Sequence, residues 1–150
     1  MFTMKMVAKP LFFFLICFSL SAFATDDNTA TFTLELWAPD EVPPHNAKHA
    51  EIGNSYYYRY TPEVVQFNSN QNRKLNIQFH ENTENRYQFR WVTATSPGDV
   101  TLLSKSNSLM EIAIDDGDGV SDSIYIEVWV YDTLTGERFM CDPQVKNEPV

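Results

Sequence analysis

The chain has 150 residues, 43% hydrophobic and 14% aromatic, and its 20 acidic against 11 basic residues give a formal charge of -9 at neutral pH. That length suits one domain with a core of its own. The acidic balance, with bases scattered singly apart from Arg73-Lys74, argues against nucleic acid, whose phosphates call for clustered Lys and Arg.

Residues 1–24 have the layout of a secretory signal peptide. Lys5 and Lys9 make a basic start, residues 11–20 are apolar apart from Ser19, and Ala22-Phe23-Ala24 is a small-x-small cleavage site before Thr25-Asp26-Asp27. The apolar run is too short to cross roughly 30 Å of hydrocarbon, and no second long apolar stretch follows it. A lipid anchor on Cys17 is disfavoured because Ile16 precedes it, where a small residue is wanted. The expected mature chain begins near Thr25, lacks a membrane span and is periplasmic or secreted. Two of the 11 bases leave with the leader, so its formal charge is -11. Only Cys141 remains in it, at strand spacing from Phe139. It therefore reads as a core thiol, not a disulfide partner or a nucleophile.

Period-two alternation dominates the rest, the spacing that puts every second side chain on one face of a strand. It runs through Phe32, Leu34 and Leu36, through Leu75, Ile77 and Phe79, and through Met110, Ile112 and Ile114. The longest case is Ile124, Ile126, Val128 and Val130. Residues 56–60, 64–67, 87–93, 100–103 and 137–141 are less regular candidates. Turn-forming residues separate them at 68–72, 81–85, 96–99, 115–122 and 133–136. Residues 45–52, after Pro43-Pro44, are expected to hold at most one short helical turn. The pattern predicts an all-β, immunoglobulin-like antiparallel β-sandwich of about eight strands. Its expected boundaries are 25–141, followed by a tail over 142–150.

Four features carry candidate chemistry. Asp115-Asp116-Gly117-Asp118-Gly119-Val120-Ser121-Asp122 joins two of the alternating segments, and clustered carboxylates on a glycine-rich loop are what a calcium ion wants. Asp116, Asp118 and Asp122 fall on ligand positions of an EF-hand-like loop, but Ile114 and Tyr125 occupy its two ends, and an ordinary hairpin loop explains the same residues. The second feature is the outward side of the longest strand, where Tyr125, Glu127, Trp129 and Tyr131 oppose the apolar set. Such a platform stacks on sugar rings or anchors a protein interface, and Trp37, on the non-core side of its own strand, is a candidate extension of it. Cover by a neighbouring loop, by the His45 segment or by the tail is the alternative. Third, Tyr56, Tyr58 and Tyr60 share one strand face and Tyr57 with Arg59 the other, as a packing strand or a ligand surface. Fourth, His45 and His49 are the only clustered nitrogen donors, with the Glu51 carboxylate beside them, and they lack the HExxH spacing of a zinc helix.

The ending reads Cys-Asp-Pro-Gln-Val-Lys-Asn-Glu-Pro-Val. Asp142-Pro143 and Glu148-Pro149 resemble, in order, spacing and terminal location, the paired motifs of the bacterial DP-EP family of small exported proteins. The resemblance implies a similar length and a β-rich body and brings no activity with it. Both prolines stiffen the backbone, either to dock the tail on the sandwich or to present it as a recognition signal.

No Gly-x-Ser-x-Gly elbow, phosphate loop or paired-cysteine zinc motif is present. The expected function is a non-enzymatic binding or interaction module for a protein or glycan, without a cofactor unless calcium. Calcium-dependent glycan binding is the first alternative and a small cell-wall hydrolase the second.

Overall fold

The computed structural model describes residues 28–52, 55–67, 73–95, 100–115 and 122–147. Its strands are β1 (Thr29–Trp37), β2 (Lys48–His49), β3 (Tyr57–Thr61), β4 (Val64–Phe67), β5 (Arg73–Phe79), β6 (Tyr87–Ala94), β7 (Val100–Lys105), β8 (Leu109–Ile114), β9 (Asp122–Asp132), β10 (Arg138–Cys141) and β11 (Gln144–Asn147). They form a β-sandwich, and no helix occurs among the described residues. The first sheet runs β2-β3-β1-β5-β8-β7. In the second, β9 is central, with β6 on one side, β10 and β11 on the other, and β4 beyond β11.

Alternation sets what lies between the sheets. Phe32, Leu34, Leu36, Leu75, Ile77, Met110, Ile112 and Ile114 of the first meet Ile124, Ile126, Val128, Val130, Phe89 and Phe139 of the second, all buried. Burying one such side chain is worth roughly 1.5–3 kcal/mol relative to leaving it in water. A one-residue slip of β9 would turn all four of its apolar residues outward, so its register is strongly held.

The architecture differs from the expected one in strand number, in strand direction, at residues 45–52 and at the tail. The structure adds β2 and β11 to the foreseen strands, for eleven among the described residues. Two pairings are parallel, β1 with β5 and β4 with β11; the partners in each are far apart in sequence, so no tight hairpin forces them antiparallel. Residues 45–52 carry no helix: a turn closes where the Ala47 N–H donates to the Pro44 carbonyl at 3.0 Å, and Lys48–His49 then pair with β3.

The expected tail is the largest correction. β10 and β11 share one lane beside β9 in unbroken register, with Cys141 opposite Val128 and Gln144 opposite Tyr125, three residues further along each strand. Asp142-Pro143 is the interruption between them, as suits a proline with no N–H for the ladder. Gln144–Asn147 is thus held between β9 and β4, with Val145 buried. The boundary expected after residue 141 falls inside a sheet.

Tyr56, Tyr58 and Tyr60 point inward, and their hydroxyls cross to the second sheet. Tyr56 donates to Asp132 Oδ2 at 2.8 Å and lies 2.8 Å from Thr135 Oγ1. Tyr58 donates to the Asp142 carboxylate, and Tyr60 to the Cys141 carbonyl at 3.4 Å. Asp132, fully buried, also accepts from Arg86 Nε at 3.1 Å, Arg86 Nη2 at 2.7 Å and the Leu134 N–H at 2.8 Å. Burial pushes its carboxyl up, but these donors together with the Tyr56 hydroxyl outweigh it and hold the group below the usual carboxylate value. Burial pushes the Tyr56 phenol up to about 12. The cluster pins the β9–β10 hairpin, and with it the outer surface described next.

Candidate functional site

β9 fixes the site by facing two ways. Because Ile124, Ile126, Val128 and Val130 are buried, Tyr125, Glu127, Trp129 and Tyr131 stand on the outer face of the second sheet, Tyr125 at 68% exposure and the other three half-buried. The expected outward set of β9 is therefore together on one surface.

β6 supplies the part that alternation did not reveal. Tyr87 and Phe89 are buried opposite Asp132 and Val130, so strict alternation would send Trp91 into the core. The register instead shifts between Phe89 and Trp91, placing Trp91 opposite Trp129. Arg90 is the extra residue of this bulge, which re-aims the side chains that follow. Trp91 and Trp129 then stack with ring centres 5.2 Å apart and planes 25° from parallel.

Cations flank the rings. Arg138 of β10 places its guanidinium carbon 5.5 Å from the centre of the Trp91 ring, and Arg90 places its own 4.3 Å from that of Tyr131. Such contacts contribute about 0.5–1 kcal/mol each at exposed sites. Thr93 donates to Glu127 at 2.5 Å, and Met140 lies opposite Trp129. Of the tail, residues 144–147 do not cover this surface but run in the sheet beside β9, while Trp91 packs on Trp129 and Arg138 on Trp91.

At the Tyr125 end the Asp142-Pro143 interruption opens a groove of about 170 Å³ between β9 and β11, lined among others by Tyr125, Asp142, Pro143, Gln144 and Lys146. Pro143 is buried, whereas Gln144 and Lys146 are exposed. One surface thus carries the exposed Tyr125 ring, the half-buried rings of Trp91, Trp129 and Tyr131, two guanidiniums, a carboxylate, an amide and an ammonium, the chemistry of noncovalent recognition.

The other sequence candidates lie elsewhere. Trp37 is on β1 of the first sheet, whose outer face looks away from this one; it sits beneath Arg59, 5.6 Å from guanidinium carbon to ring centre, and Arg59 pairs with Glu35 at 2.5 Å. It does not extend the platform, because pairing assigns β1 and β9 to different sheets. Tyr57 shares that opposite side, edge-on to His49 with ring centres 4.9 Å apart. Asp116 and Asp118 lie outside the described residues, and of Asp122 only the backbone is described, opposite Asn147. Among the described residues no three His, Cys, Asp or Glu side chains are grouped to hold a metal ion. Glu148 and Pro149 lie outside the described residues. Cys141 is fully buried, and burial pushes its thiol well up, away from the nucleophilic thiolate.

No protein-family model matches the chain, and no curated protein matches its sequence. Among the described residues no helix is long and apolar enough to cross a membrane.

Proposed function

We propose that this protein is a non-enzymatic binding module, exported to the periplasm or secreted, that recognises its partner through the outer face of the β6, β9, β10 and β11 strands. The Trp91–Trp129 stack carries the reading: its rings lie 5.2 Å apart on a sheet surface, in line with Tyr125 at 68% exposure. Large aromatic rings supply much contact area at little conformational cost, which is why they anchor recognition surfaces. The leader-like residues 1–24 support export, and membership of the DP-EP family is proposed on Asp142-Pro143 and Glu148-Pro149. In that reading the first motif serves the site, since Asp142 and Pro143 line the groove beside Tyr125.

Sedimentation with bacterial cell envelopes tests the proposal. Mature protein is expected to co-sediment with envelopes, and Tyr125→Ala and Trp129→Ala are expected to remain in the supernatant while staying folded. Equal behaviour of the three proteins would refute it.

A further inference from the structure

We infer that the ligand of this face is a neutral glycan chain, laid along β9 with one sugar ring in the groove beside Tyr125 and another against the Trp91–Trp129 stack. The inference rests on the reading of the face as a binding surface and adds the chemistry of what it binds.

Three observations select a glycan over a protein. The first is spacing: Tyr125 and Trp129 are four residues apart on one strand, roughly 13 Å at the rise of a β-strand. That separates two stacking positions along a line, as suits a linear chain of several rings. The second is interleaving. Glu127 sits between those aromatics on β9, Gln144 opposes Tyr125, and Lys146 and Asp142 border the groove. The core of a protein interface is depleted of charged side chains and groups its apolar area, whereas a sugar ring offers an apolar face together with a rim of hydroxyls that need donors and acceptors. Here each ring has such groups beside it: the carboxylate accepts, the ammonium donates and the amide does both. The third is shape: the groove, at about 170 Å³, is on the scale of one ring and small beside the clefts of roughly 300–1,000 Å³ that enclose drug-sized ligands.

Charge decides between neutral and acidic glycans. The chain carries -9 overall, so a polyanionic chain meets repulsion at long range; on the face itself Arg90, Arg138 and Lys146 accompany Glu127, so it is the long-range field that favours a neutral chain.

Tryptophan emission reports binding directly. The sequence has three Trp, and Trp37 is on the opposite sheet, so in Trp37→Phe the signal comes from Trp91 and Trp129 alone. Titration of that protein with chitohexaose and with cellohexaose is expected to give a saturable change with at least one. Tyr125→Ala in the same background should weaken it at least tenfold, and an oligogalacturonate should bind more weakly than either neutral hexasaccharide. No emission change with either at millimolar concentration overturns the inference, as does tighter binding of the oligogalacturonate or an affinity unaltered by Tyr125→Ala. If envelopes still retain the protein in a Trp129-dependent way while both hexasaccharides fail, the glycan inference falls and the binding face stands. If neither result depends on the face, both fall.

Discussion

Trp91 stacks on Trp129 across the β6–β9 ladder although period-two counting from Tyr87 and Phe89 would bury it. The stack predicts an exciton couplet from paired indoles in the circular dichroism spectrum. Trp91→Phe and Trp129→Phe should each abolish it and Trp37→Phe should preserve it. Beyond lost area, separating such a pair should cost about 0.5–1.5 kcal/mol in urea unfolding. A couplet that survives Trp91→Phe would contradict the bulge at Arg90.

Asp132 is buried among Arg86, Tyr56 and the Leu134 N–H. Asp132→Ala takes from the Arg86 guanidinium, whose side chain is only 17% exposed, its buried partner and leaves it the exposed Glu84 carboxylate at 3.2 Å; with the Tyr56 hydroxyl and the Leu134 N–H also losing their acceptor, the fold should be destabilised by about 3 kcal/mol. Denaturant midpoints would register this; a loss within experimental error would mean that the cluster does not hold the hairpin.

The same carboxyl predicts a pH dependence. Its folded value is depressed below the unfolded value of about 3.9. Its contribution is therefore complete above the unfolded value and lost as pH falls through the folded one. Urea stability should hold near neutrality and decline as the pH falls below the unfolded value and on through the depressed folded one. In Asp132→Asn the neutral-pH stability should be lower and the acid decline shallower. An unchanged acid slope in that variant would assign the decline to other carboxylates.

Deleting residues 142–150 should leave the protein unfolded or insoluble, because it removes the strand between β9 and β4 along with buried Val145. Tyr58→Phe removes the hydroxyl donated to Asp142 and should cost about 1.5–3 kcal/mol, the range for a hydrogen bond to a charged group. In a double-mutant cycle, Asp142→Asn should add little once that hydroxyl is gone. A stable, soluble truncation would restore a detachable tail.

In a chain beginning at Thr25, Cys141 is the one cysteine, and it is fully buried. The native protein should therefore resist a thiol reagent at mildly alkaline pH and react completely once denaturant is added. Rapid labelling of the native state would place β10 differently.

Much of this was legible because burial on a strand follows side-chain alternation. Ile124 to Val130 announced both faces of β9, and Tyr58 and Tyr60, with Tyr56 just before the strand, announced one face of β3. Partner choice was not legible, since periodicity states which side of a strand is apolar and not which strand lies beside it. Trp37 and Trp129 look alike in sequence, yet pairing puts them on opposite sides of the sandwich. Trp91 was hidden by a bulge that no turn residue marks, and with it Arg90 and Arg138 as its neighbours. Pro143 suggested the end of the fold because proline interrupts a ladder; here the ladder resumes one residue later in the same register.

Oxidative footprinting of the mature protein, free and bound to envelopes, tests the central claim most directly. The account predicts that binding protects Tyr125, Trp91 and Trp129 together while Trp37 and Tyr57 on the opposite sheet keep their free-state reactivity. Protection of Trp37 and Tyr57 with Tyr125 still fully reactive would place recognition on the other side of the sandwich.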